Sequence, residues 1–241
     1  MRHTLLYATI IFLCITCTTK IKTENSILGL VPYNATLVFK INDFETLKNE
    51  LSTNEILQNL KDLEPFKEIT NLIQPLKNLS LQEKGLLAIS YVDSTKMAYT
   101  YISNDSLSFA DWDILPNKTV ETLTYKNLSI IEYHINNSSL FSSYIDGYWV
   151  SCSSQKTLEQ LIDSRDEPLI NSSLEKFYSI SNKEKVLNVW FNVEQNESLI
   201  NHLLNSDQHI SNFTSWLSLD LTLNDTEILL NGIAQPNFEK K

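Results

Sequence analysis

Few side chains in this sequence are spaced for chemistry. Asp111 and Asp113 flank Trp112, and paired carboxylates beside an aromatic ring are the tools of glycoside cleavage. Alternate residues of an extended segment share a side, and two solvated loop acids account for this pair equally well. His202 and His209 are seven residues apart. On a continuous helix that is about two turns, too far for one metal ion to bridge. The four glycines, Gly29, Gly85, Gly147 and Gly232, lie too far apart for a phosphate-cradling loop, and no Gly-x-Ser-x-Gly elbow occurs. No catalytic, cofactor-binding or metal-binding set can be assembled, and the expectation is a protein that is not an enzyme.

Cysteine is the remaining reactive type, at Cys14, Cys17 and Cys152. The first two end a leader. Arg2 precedes an apolar run from Leu5 to Ile15, the layout of a secretory signal and too short for a membrane-spanning helix. Residues 1–16 read as a signal peptide, 17–26 as a polar tether and 27–241 as a single domain. Cys17 follows Cys14-Ile15-Thr16. This resembles a bacterial lipobox, in which a small or apolar tripeptide precedes the cysteine that becomes lipid-modified, although Cys14 and Thr16 replace the usual Leu and small residue. Cys17 is therefore the expected lipid attachment residue. After cleavage Cys152 is alone in the body, so no internal disulfide can form, and a small buried hydrophobe is its expected role.

The chain has 19 Lys+Arg against 29 Asp+Glu, a net charge of −10, and Arg165 is the only arginine beyond the leader. Nucleic-acid binding needs a basic footprint, so no nucleic-acid partner is expected. The membrane would be reached through the lipid rather than through a basic patch. Eleven Asn-x-Ser/Thr triplets run from Asn34 to Asn224. They keep open a second origin, a eukaryotic secreted protein with N-linked glycans.

The elements come from the hydrophobic period. Leu37, Phe39 and Ile41 alternate with Thr36, Val38 and Lys40, which suggests a strand, and Asn42 or Asp43 then caps a helix carrying Phe44, Leu47 and Leu51. Further helices are expected around Ile56–Leu63 and Phe66–Leu76. From Leu86 the period is two, and hairpins are expected at 86–102, 120–135 and 140–152, with Asp146-Gly147 the strongest turn signal. Helical spacing returns at Leu158–Ile162 and Leu174–Phe177. A strand at 186–193, a helix at 199–204 and a closing hairpin at 215–234 complete the chain. The expected fold class is α+β, a mainly antiparallel sheet built from hairpins with several amphipathic helices packed on it. Leu37–Leu51 and Leu187–Leu204 both read strand, then helix, with a hairpin following, a weak internal β-α-β-β duplication. Tyr91, Tyr99, Tyr101, Tyr133, Tyr144, Tyr148 and Trp149 crowd the middle strands, with core or sheet-face packing the first expectation and a binding face for a peptide or glycan the alternative.

The segment Leu30–Leu51, with its Pro, apolar strand, Asn/Asp and Leu-containing helix, together with Leu230-Asn231-Gly232-Ile233-Ala234, resembles envelope lipoproteins of the Bacteroidota of unknown function. The resemblance implies lipid anchoring on a bacterial membrane, the outer one preferred, with the body outside the cytoplasm. It implies no activity. The expected role is binding or structural, with another envelope protein or a glycan as partner. The alternative is a secreted hydrolase acting on envelope polymers. Cys17→Ala should move the protein from the membrane to the soluble fraction on cell fractionation; a variant that stays membrane-bound and is processed as before contradicts lipid anchoring.

Overall fold

The computed structural model describes residues 24–60, 84–93, 96–106, 117–196 and 210–236, with positions 67, 71, 113 and 115 besides. A 3-10 helix, Glu24–Leu30, leads into β1 (Ala35–Ile41), α1 (Phe44–Thr53) and α2 (Glu55–Leu60). The strands β2 (Gly85–Tyr91), β3 (Met97–Ser103), β4 (Lys118–Tyr125), β5 (Leu128–Ile135), β6 (Ser138–Ile145) and β7 (Tyr148–Cys152) follow. Next come α3 (Gln155–Ser164), α4 (Ser172–Ile180), β8 (Leu187–Asn192), a 3-10 turn at Ile210–Asn212, β9 (Thr214–Leu223) and β10 (Ile228–Pro236).

All ten strands form one antiparallel sheet in the order β10-β9-β8-β1-β2-β3-β7-β6-β5-β4. This overturns the α+β expectation of several amphipathic helices packed on a sheet. The fold is sheet-rich, and four α-helices accompany ten strands among the described residues. The physical reason lies in what the helices cover. α1 buries only Leu47 and α2 buries no residue, while β4 and much of β5 extend the sheet as a half-exposed ladder. The expected helices at 66–76 and 199–204 fall outside the described residues, apart from positions 67 and 71.

Local chemistry explains the elements that did form where expected. Asp43 caps α1 by accepting from the Thr46 N–H at 2.9 Å. Ser154 and Asn171 do the same for α3 and α4. Lys126 and Asn127 (φ 44° and 65°) turn β4 into β5, and Asp146 and Gly147 (φ 48° and 89°) turn β6 into β7. Two consecutive left-handed residues match the right-handed twist of the flanking strands.

Both faces of the central strands are buried. On one, Val38, Ala88, Ile102, Val150 and Trp190 pack with Leu158 and Leu161 of α3, Phe177 of α4 and Leu28 of the 3-10 helix. On the other, Ile41, Leu87, Tyr99, Tyr101 and Leu187 pack with Leu47 of α1. The order β3-β2-β1-β8-β9-β10 sets one three-strand group on either side of the boundary between β1 and β8. β10 and β4 are the two ends.

Candidate functional site

The residues singled out by type and spacing are not brought together. Cys17, Asp111, Trp112, His202 and His209 lie outside the described residues, and Asp113 is exposed. Among the described residues, no group of three or more His, Cys, Asp or Glu could hold a metal ion. Of the two readings of the middle-strand aromatics, core packing describes three of them. Tyr99, Tyr101 and Tyr148 are buried, because β3 and β7 sit inside the sheet with both faces covered. Tyr144 is 53% exposed and packs against Trp149 with ring centroids 5.5 Å apart.

One hydrogen-bonded chain escaped the sequence reading. Glu132 and His134 share a face of β5, and Ser139 of β6 stands directly across from His134. Ser139 Oγ lies 2.9 Å from His134 Nδ1, and His134 Nε2 lies 3.1 Å from Glu132 Oε1. A hydroxyl, an imidazole and a carboxylate in series can activate the hydroxyl oxygen, the imidazole taking its proton while the carboxylate steadies the resulting cation. Glu121 of β4 stands directly opposite Glu132, and like charges so opposed weaken a ladder. The signal was present in the sequence as Glu-x-His before the Asn136-Asn137 turn. It needed the hairpin register to bring Ser139 across.

The two ends of the sheet differ in chemistry. β4 carries Lys118 and Glu121, and its end is fastened to α3. Lys126 Nζ lies 2.8 Å from Asp163 Oδ1, and the Tyr125 hydroxyl donates to Asp163 Oδ2 at 3.2 Å. The Lys126 ammonium holds the Asp163 carboxyl below the usual carboxylate range. β10, with the sequence ILLNGIAQP, carries no charge. Leu229 (54%), Leu230 (51%) and Ile233 (44%) are exposed on it. Charged side chains are the usual guard of an edge strand, and a long apolar edge invites another strand.

β10 is held close and in register. A Cβ on Gly232 would come within 2.0 Å of the Ser218 carbonyl oxygen, so only glycine lets β10 approach β9 there. Behind it, the side-chain amide of Asn54 donates to the Asn224 and Glu227 carbonyls, and the Glu55 N–H donates to the Asp225 carbonyl at 2.7 Å. The junction of α1 and α2 thus grips the β9–β10 turn. The Asn224 N–H donates to the Glu227 carbonyl at 3.0 Å. Bonded pairs recur every second residue in an antiparallel ladder. With the β9–β10 register, this turns the peptide groups of Ile228, Leu230, Gly232 and Ala234 to the open edge.

Cys152 is the free thiol among the described residues and is fully buried, 3.4 Å from the Thr100 hydroxyl. Burial pushes it up from 9.0 to about 12, the Thr100 contact opposing. Burial, and then the nearby Cys152, push Tyr99 up as well. A folded-state value above the unfolded one adds stability that is complete below the unfolded value and disappears as pH rises through the folded one. Urea titrations should therefore show unfolding free energy falling between pH 9 and 12, less steeply in Cys152→Ala; identical slopes would contradict this account. Comparison with protein families, characterised proteins and solved structures finds no match for the chain.

Proposed function

We propose that this chain is an exported, lipid-anchored envelope protein whose body binds by strand addition, taking an extended segment onto the open edge of β10. The observation that carries the binding role is the contrast between the sheet's ends: both are exposed, but β4 is charged and fastened to α3, whereas β10 is uncharged and carries Leu229, Leu230 and Ile233 exposed. Edge peptide groups supply directional hydrogen bonds, and the side chains on either face of the strand supply apolar contact. The anchoring half of the proposal rests on the leader and on Cys17.

A second reading, a secreted hydrolase, is favoured by the Ser139–His134–Glu132 chain alone. It places the hydroxyl on Nδ1 and the carboxylate on Nε2, and acyl transfer would further need N–H donors aimed at the developing oxyanion. The edge strand needs nothing added to act.

The test places p-benzoylphenylalanine at Ile233 of β10 or at Thr122 of β4 in the membrane-bound protein and irradiates it. Polypeptide adducts should form at position 233 and not at position 122. Adducts at 233 no more abundant than at 122 would overturn strand addition.

A further inference from the structure

We infer that the segment β10 takes up is β10 of a second copy of this chain, antiparallel and centred on Asn231, so that two sheets join across a two-fold axis. The inference rests on the strand-addition reading and adds its occupant and register.

The first argument is the set of peptide groups facing the open edge. Ile228, Leu230, Gly232 and Ala234 are evenly spaced about Asn231. With Asn231 opposite Asn231, Ile228 meets Ala234 and Leu230 meets Gly232 of the second copy, and all four residues on each strand find partners. Centring the pair on Gly232 instead would bring Pro236, which has no N–H, opposite Ile228.

The side chains agree with that register. On one face Leu229 falls beside Ile233 of the second copy, joining two exposed apolar side chains. On the other, the bulk of Leu230 falls beside Gly232, the position without a side chain. The two Asn231 amides meet at the axis, where each can donate to the other.

Charge selects the copy. A chain of net charge −10 repels its own kind, so contact should occur where charge is lowest, and neither strand brings any. The flanking Glu227 falls opposite the neutral Gln235. Pairing β10 with the other available edge, β4, would give a head-to-tail contact without the two-fold symmetry that lets both strands use the same residues. Lys118, Glu121 and the Asp163 fastening guard β4.

The opposed Asn231 residues form a pair without mutual backbone bonds, at a Cα separation of about 4.5 Å, within disulfide reach. The full chain carrying Asn231→Cys should cross-link to a dimer under mild oxidation, at least tenfold faster than Leu229→Cys or the unsubstituted chain. Sedimentation equilibrium in density-matched detergent should give twice the chain mass for the unsubstituted protein at micromolar concentration. Leu230→Lys with Ile233→Lys should give a single-chain mass with an unchanged circular dichroism spectrum. A single-chain mass for the unsubstituted protein, equal cross-linking at 231 and 229, or a dimer that survives both lysines overturns the inference. If the purified chain is single while the adduct at position 233 contains a different polypeptide, the second copy is overturned and strand addition stands.

Discussion

The structure hangs on the pairing of β1 with β8. These strands are about 150 residues apart in sequence, and their ladder, from Leu37↔Phe191 to Ile41↔Leu187, is what joins β1-β2-β3 to β8-β9-β10. Val38 stands opposite Trp190, and both are fully buried. Losing a buried tryptophan typically costs about 3–5 kcal/mol, a large share of a domain's net stability. An asparagine secures each end of the ladder. Asn42 donates to the Lys185 carbonyl at 2.8 Å and to Asn188 Oδ1 at 2.9 Å, and Asn188 passes the chain on to Asp220 of β9 at 2.7 Å. At the other end Asn196 donates to the Thr36 carbonyl at 3.1 Å. Lys40 is buried on this seam, its ammonium 2.7 Å from the Ser181 hydroxyl and 4.5 Å from the centre of the Tyr178 ring, which in turn meets Trp190 edge-on at 6.0 Å. A buried amine is tolerated only with such partners, so the seam fixes where α4 ends as well as where the strands meet.

From that pairing the ends of the sheet follow. Each side grows outward by antiparallel addition, and the three strands after the seam finish at β10, which no further strand among the described residues covers. On the other side β7 pairs with β3 and the hairpins run out to β4. The edge chemistry is therefore a result of topology. β4 ends near α3 and acquires the Asp163 contacts, while among the described residues β10 is held from behind, by β9 and, at its turn, by Asn54 and Glu55. Binding by strand addition and pairing with a second copy both depend on this difference.

The strands were legible one by one. The strand at 37–41, the Asp146-Gly147 turn and the run at 187–192 all lie where their pattern places them, and the cap at Asp43 is local chemistry. What could not be read was non-local. Nothing in residues 35–41 announces residues 187–192 as neighbours, and without that pairing no strand can be identified as an edge. The strands could be read singly, but that all ten join one sheet could not, for the same reason. Tyr99 and Tyr101 show a second limit: in β3 both faces are buried, so position along the strand did not separate core from surface. The Ser139–His134–Glu132 chain needed one register, set by the turn at Asn136-Asn137, and the open edge of β10 needed the whole strand order.

The claim that one seam unites the sheet is tested most directly by native-state hydrogen exchange across a denaturant series. The amides of Val38, Phe39, Val189 and Trp190 should be the last to exchange, and β2 and β9 should lose protection in the same global step as the seam. If β8–β10 lost protection at lower denaturant than β1–β3, as a separate cooperative unit, the two sides would be independent bodies and the account built on the seam would be wrong.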